Sequence, residues 1–69
     1  MKIKTEIQAV IWKINVKVGQ KVDIGDTVVI LESMKMEIPI ETEISGIVKE
    51  ILINEGDQVN EDQELITLE

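Results

Sequence analysis

Lysines and carboxylates are the only side chains of this sequence that offer reactive chemistry. The 69 residues include 7 Lys and 14 Asp or Glu, but no His, Cys, Tyr or Arg. An imidazole base, a thiolate nucleophile and a guanidinium clamp are therefore excluded. The two serines, Ser33 and Ser45, have no activating partner in the sequence. The composition argues against an enzyme active site and leaves a lysine amine as the candidate nucleophile.

The carboxylates indicate a soluble domain rather than a metal-binding site. Neither Asp23–Asp26 nor the acidic stretch 54–62 follows the spacing of an EF-hand loop, so both are predicted to be turns and no metal site is expected. The glycines stand singly, without the spacing of a phosphate-binding loop.

A net charge of −7 opposes binding to nucleic acid and to anionic membranes. No apolar stretch approaches the ~18 residues that span a bilayer. We expect a cytoplasmic monomer.

One lysine, Lys35, is distinguished from the others by its position. Displacing the sequence by 37 places lays residues 3–32 over residues 40–69 with nine identities and no gap, which indicates an internal duplication. The seven residues 33–39 are the link between the two halves, and Lys35 lies in this link between Met34 and Met36. We predict that the link forms a hairpin at one pole of a single domain, 1–69, with both termini near the other pole.

The elements that must position this lysine are predicted to be strands. The chain has 13 Ile and 8 Val, and β-branched side chains pack best on a pleated sheet. No convincing helical periodicity interrupts six strand-length runs, which are Lys2–Gln8, Val10–Val16, Thr27–Glu32, Glu37–Glu43, Ile47–Ile53 and Glu64–Leu68. Pro39 lacks an N–H and suits an edge or crossover position better than a central strand. The prediction is an all-β flattened barrel, a barrel-sandwich hybrid of two sheets with about four strands each and quasi-two-fold symmetry.

The segment Glu32-Ser33-Met34-Lys35-Met36-Glu37 resembles the attachment segment of biotin carboxyl carrier domains, whose hallmark is Met-Lys-Met at the tip of a β-hairpin. The resemblance covers essentially the whole chain and is closest to the free-standing biotin/lipoyl attachment proteins of bacteria. It implies a flattened barrel with covalent biotin on Lys35. It also implies a non-catalytic carrier, loaded by biotin protein ligase, that moves carboxyl groups between biotin carboxylase and carboxyltransferase components.

Two other functions stay open at the level of sequence. Lipoyl domains share this fold but usually have Asp-Lys-Ala at the tip, so Met-Lys-Met favours biotin, with lipoate on the same lysine as the alternative. The second alternative function is an unmodified interaction module of the kind found in efflux adaptors. Those proteins, however, usually separate the two halves of the barrel by a long helical hairpin. The family's Pro-Met-Pro-Gly-like stretch is absent, since residues 7–10 read Ile-Gln-Ala-Val.

The methionines and the tryptophan are secondary candidates. In an extended arm, Met34 and Met36 would share the face opposite Lys35, where their soft side chains suit recognition by a ligase. Trp12 is the single aromatic residue. It is predicted to be a core or half-exposed packing residue, and the sequence assigns it no function.

Overall fold

The computed structural model describes residues 1–69 as eight strands joined by turns and loops. The strands are β1 (Lys2–Lys4), β2 (Ala9–Ile14), β3 (Lys21–Val22), β4 (Thr27–Ser33), β5 (Met36–Glu41), β6 (Gly46–Ile51), β7 (Gln58–Val59) and β8 (Glu64–Leu68). The predicted all-β class is confirmed. No helix in the structure has the length and hydrophobicity needed to span a bilayer.

The strands form two antiparallel four-stranded sheets. Sheet 1 has the order β1-β8-β6-β3 and sheet 2 the order β5-β4-β2-β7. Between them lies one core of fourteen buried side chains, all of them Ile, Val, Leu or Ala. Burial of this apolar surface is the main source of stability in a chain that has no disulfide. Pro39 lies in β5 at the edge of sheet 2, as predicted, where its missing N–H breaks no ladder.

The predicted quasi-two-fold symmetry is confirmed down to single hydrogen bonds. Each strand of the first half has its counterpart in the second, so that β1 to β4 correspond to β5 to β8. The Thr5 N–H donates to the Gln63 carbonyl at 3.1 Å, and the Thr42 N–H donates to the Asp26 carbonyl at 2.9 Å. Seven such pairs of backbone bonds outside the strands obey the same 37-residue shift.

Two buried threonines turn the chain from one sheet to the other at equivalent points. The Thr5 hydroxyl donates to the Ile7 carbonyl at 2.8 Å and accepts from the Ile7 N–H at 3.2 Å. Thr42 makes the same two bonds with Ile44, at 2.6 and 3.2 Å. A hydroxyl that bonds the backbone two residues on competes with a strand ladder. These bonds therefore end β1 and β5 and begin the crossings to β2 and β6.

The crossings explain where the predicted strand limits are wrong. The sequence predicted strands over Lys2–Gln8 and Glu37–Glu43, but β1 ends at Lys4 and β5 at Glu41. Alternation of apolar residues continues through both crossings, so periodicity alone did not show the change of sheet. The two-residue strands β3 and β7 are absent from the six predicted strands, because two residues are too short to display a period.

Candidate functional site

The site is the tip of the β4–β5 hairpin in sheet 2. Six registered pairs join these strands, from Thr27 opposite Glu41 to Ser33 opposite Met36. Beyond the last pair only Met34 and Lys35 remain to make the turn. A two-residue turn fixes the register of both strands. The hairpin therefore places Lys35 at a defined point at the end of the sheet.

The backbone of this turn is strained. Met34 has φ of 52° and Lys35 has φ of 65°. Positive φ at both central residues defines a type I′ turn, which Asn-Gly forms easily because those residues tolerate the left-handed region. For other residues the left-handed conformation costs roughly 1–2 kcal/mol each. The paired strands must offset this cost.

The tip does not continue the strand alternation that the sequence suggested. We predicted that Met34 and Met36 share a face opposite Lys35 along an extended arm, and this is wrong. Met34 lies inside the left-handed turn, whereas Met36 is the first residue of β5. Both side chains are instead solvent-exposed beside the lysine, Met34 at 91 % and Met36 at 63 %. Met34 is the most exposed large hydrophobic residue of the chain.

Lys35 itself is exposed and unpartnered. The chain has a single ion pair, in which Lys2 Nζ lies 3.1 Å from Glu64 Oε1 in sheet 1. Lys35 makes no side-chain hydrogen bond, and no acid, base or hydroxyl is bonded to its amine. One pair below the turn, Glu32 and Glu37 lie directly opposite each other in the ladder. Like charges in such a pair oppose strand pairing.

These features fit a covalently attached acyl group. An exposed amine can form an amide with a carboxylic acid without breaking any contact of the fold. Nothing encloses the attachment point, because the open groove of about 830 Å³ in this chain lies elsewhere. The groove is lined by the two crossings and the edges of β1 and β5, and Lys35 is not among its residues. An acyl chain on Lys35 would extend into solvent from the end of the molecule.

Trp12 lies on sheet 2 rather than in the core. It is exposed at 47 %, so of the two predicted environments the half-exposed one is correct. In the pairing of β2 with β4 the register shifts between Ile11 and Lys13, and Trp12 is the extra residue of this β-bulge. The sequence carried no signal for the bulge, although its counterpart in the second half, Lys49, occupies the same kind of bulge between β6 and β8.

A small barrel that presents an exposed lysine in the strained two-residue turn of a hairpin, with no side chain bonded to its amine, fits a domain that carries an attached group. Comparison with known proteins identifies the family of carrier domains to which the chain belongs. Residues 1–68 match the biotin/lipoyl family described as "Biotin-requiring enzyme". The chain belongs to the biotin/lipoyl attachment family.

Two relatives illustrate the extent of the match. The "Biotin/lipoyl attachment protein" of Bacillus subtilis is 48 % identical over 68 residues, which cover 99 % of this chain and 93 % of that protein. The "Biotin carboxyl carrier protein of acetyl-CoA carboxylase" of Haemophilus influenzae is 50 % identical over 54 residues. That alignment covers 78 % of this chain but 35 % of the relative, so this chain matches about a third of that protein.

Solved structures agree on the fold. The chain superposes on part of the urea carboxylase of Kluyveromyces lactis with a TM-score of 0.91 and 32 % identity, over 99 % of this chain and 6 % of that one. A single-chain, multi-domain long-chain acyl-CoA carboxylase matches with a TM-score of 0.89 at 18 % identity, over 96 % of this chain. The second match concerns the fold alone. Both place this architecture within much larger chains.

Proposed function

We propose that this protein is a non-catalytic carrier, biotinylated on Lys35, that moves carboxyl groups between the biotin carboxylase and carboxyltransferase sites of a biotin-dependent carboxylase. The observation that carries the proposal is the exposed, unpartnered amine in the turn of the β4–β5 hairpin. Six relatives or structural neighbours with carboxylase names, such as the urea carboxylase, support the assignment to this chemistry. Biotin, when attached, supplies the atom that bears the carboxyl group.

Attachment requires an enzyme. No side chain is bonded to the Lys35 amine to accept its proton during acylation. Biotin protein ligase supplies biotin as its acyl-adenylate. Lys35 Nζ loses a proton and attacks the acyl carbon, the amide N–C bond forms, and the bond from that carbon to the phosphate oxygen breaks with release of AMP. In this step the chain contributes the amine itself, presented at a fixed place.

Met34 and Met36 are proposed as contacts for the ligase. Met34 occupies a left-handed turn position that Asn or Gly would fill at lower cost, and it is 91 % exposed. Retaining a large apolar side chain there costs both conformational strain and exposed apolar surface. A partner that covers this side chain while Lys35 is modified would account for both costs. The flexible thioether of methionine suits such a transient contact.

The remaining proposals concern the extent and the setting of the carrier. We propose that residues 1–69 form one attachment domain, with half repeats 3–32 and 40–69 and the attachment hairpin 33–39. The single core shared by both sheets supports this division. The protein acts as a monomer in the cytoplasm, where the partner enzymes of biotin metabolism act, and it binds neither nucleic acid nor membranes. Its net charge of −7 opposes self-association and binding to nucleic acid or anionic membranes.

Lipoate on the same lysine is the second candidate. The Bacillus subtilis relative is named for both groups, and the fold and the hairpin would present either acyl chain equally well. The tip residues favour biotin, because lipoyl domains usually have Asp and Ala where this chain has Met34 and Met36.

Intact mass after co-expression tests the proposal. The protein is produced with biotin ligase, with lipoate ligase, or with neither, and labelled samples are mapped by peptide mass spectrometry. We expect one biotinyl group, on the peptide that contains Lys35, and less or no lipoyl group. Lack of any mass gain, or biotin on Lys21 or Lys49, would overturn the assignment.

A variant of the tip tests the choice of ligase. Changing Met34 to Asp and Met36 to Ala gives the turn the flanks of a lipoyl domain while Lys35 remains. We expect slower biotinylation, with lipoylation equal or faster. Biotin ligase turnover equal to that of the wild type would show that the methionines do not determine recognition.

A further inference from the structure

The outer face of sheet 2 carries an apolar patch next to the attachment hairpin. In the register of the sheet, Ile30 lies between Lys13 and Pro39 as one outward row, and Val10 precedes the bulged Trp12 on β2. Val10 is 39 % and Trp12 47 % exposed, Pro39 is exposed and Ile30 half-buried. We refer to Val10, Trp12, Ile30 and Pro39 as the apolar patch.

The quasi-two-fold symmetry provides an internal control for this patch. The positions equivalent to Val10, Trp12, Ile30 and Pro39 are Ile47, Lys49, Thr67 and Lys2, on the outer face of sheet 1. Three of those four residues are polar or charged. The fold therefore does not require apolar side chains at these positions, and it even accepts a lysine in the bulge. Only the sheet that carries Lys35 has apolar residues at all four positions.

We propose that the apolar patch is the docking surface for the enzyme that acylates Lys35, an inference that rests on the carrier function proposed above. The row that contains Ile30 and Pro39 lies four residues from the turn residues Met34 and Lys35, a distance of about 13 Å along the strands. Between them lies the pair of Glu32 and Glu37. The matching surface of the enzyme has an apolar centre for the patch and a basic rim for these two carboxylates.

The charges argue against a second copy of the chain as the occupant. Two patches packed face to face would bring both pairs of Glu32 and Glu37 towards each other, in molecules that each carry a net charge of −7. Repulsion between these charges opposes such a dimer. A partner with Lys or Arg at its rim gains from the same carboxylates. Charge complementarity therefore selects a different protein.

The geometry of the reaction favours the acylating enzyme over the carboxylase components. Acylation requires Lys35 Nζ itself to lie against the acyl carbon, so the enzyme must fix the hairpin as well as bind it. The tip alone does little to fix the amine, since the Lys35 side chain makes no hydrogen bond or ion pair within the protein. The carboxylase components meet the distal end of a long flexible arm, which tolerates many positions of the barrel. A rigid sheet face that adjoins the hairpin lets the acylating enzyme fix the hairpin while Lys35 reacts.

Kinetics with a matched pair of variants test the proposal. Trp12→Gln removes the largest side chain of the patch, and Ile47→Gln removes a residue of similar exposure, 44 %, from the outer face of sheet 1. Both changes preserve net charge. With purified biotin ligase, biotin and MgATP, we expect Trp12→Gln to raise the KM for the carrier about ten-fold or more with kcat little changed, a loss typical of a contact hot spot. Ile47→Gln should match the wild type.

Competition separates docking from acyl transfer. The variant Lys35→Ala cannot be labelled but keeps the patch, so it should inhibit labelling of the wild type, and the double variant Lys35→Ala/Trp12→Gln should inhibit about ten-fold less. Equal KM values for Trp12→Gln and Ile47→Gln, or equal inhibition by both competitors, would overturn the docking surface while leaving the carrier function intact. Failure of the wild type to be labelled at Lys35 would remove both proposals.

Discussion

The β4–β5 hairpin and the pairing of β8 with β1 are two copies of one structural unit. They differ at the end of the strand pair, where the first copy has a turn and the second does not. Both have the same register and a bulge at the same place, with Val28 the extra residue in the first and Leu65 in the second. In the first copy the strands are joined by Met34 and Lys35. In the second they are the two ends of the chain, where the Met1 amine donates to the Leu68 carbonyl at 3.1 Å.

The comparison separates residues that serve the fold from residues that serve the site. Features present in both halves, such as the buried threonines and the paired backbone bonds, are requirements of the barrel. Features that the 37-residue shift does not reproduce are the strained turn, the exposed methionines, the opposed glutamates and the apolar patch. All of these lie on sheet 2. The asymmetry therefore lies at the end and on the face of a symmetric fold where we propose attachment and docking.

Replacing the lysine should have the largest effect. Lys35→Ala should abolish labelling by biotin ligase, because its amine is the proposed nucleophile and the six other lysines lie in strands or ordinary loops. The melting temperature should stay close to that of the wild type, since an exposed side chain without contacts contributes little to stability. Gel-shift with streptavidin and thermal melting measure the two quantities. Residual labelling would show that the asymmetry does not single out Lys35.

Lengthening the turn should slow labelling strongly without unfolding the protein. One glycine inserted before Met34 makes a three-residue turn, which either bulges or shifts β5 by one residue and turns Ile38 outward. The bulge costs less, so we expect a folded domain with a labelling rate reduced about ten-fold or more by misdirection of the amine.

The control for this insertion is one glycine added before Met1, at the equivalent open end of β1. It should leave both the fold and the labelling rate unchanged. Circular dichroism checks the fold of both variants. Labelling of the insertion variant at the wild-type rate would mean that the ligase recognises a local peptide and not the geometry of the hairpin.

The two buried threonines should contribute equally to stability. Thr5→Val and Thr42→Val each remove a hydroxyl that bonds two backbone groups, so each should lower the free energy of unfolding by about 1–3 kcal/mol. Urea denaturation followed by circular dichroism measures the change. Because the two environments are equivalent, we expect the two values to agree within about 0.5 kcal/mol. A large inequality would show that the symmetry of the bonds does not extend to the energetics.

The smallest effects should come from a pair of equivalent turn positions with different residues. Gly25 has φ of 93°, and its counterpart Asp62 has φ of 64°. Gly25→Ala should lower stability by about 1 kcal/mol, since a Cβ is strained at positive φ. Asp62→Gly should change it by less, because Asp tolerates the left-handed region. The same denaturation measurement applies, and a larger loss for Asp62→Gly would assign Asp62 a role beyond its backbone conformation.

Much of the molecule follows from the sequence because its signals are local or periodic. Alternating Ile and Val predict strands, the 37-residue shift predicts two equivalent halves, and Pro39 predicts an edge strand. The same shift isolates Lys35 in the link between the halves. These inferences need no knowledge of distant contacts, since side-chain period, turn residues and repetition are properties of the chain itself.

Only the tertiary structure decided the conformation of the tip and the faces of the sheets. Strand alternation predicted an extended arm for Met34, but closing β4 on β5 with two residues forced that residue and Lys35 to positive φ. Periodicity also gave no warning that Trp12 lies in a bulge on the outer face. Register between strands depends on pairing across the whole sheet, and a bulge shifts it by one residue without changing the composition. Which side chains share a surface is therefore fixed by the assembled sheets and not by the order of the residues.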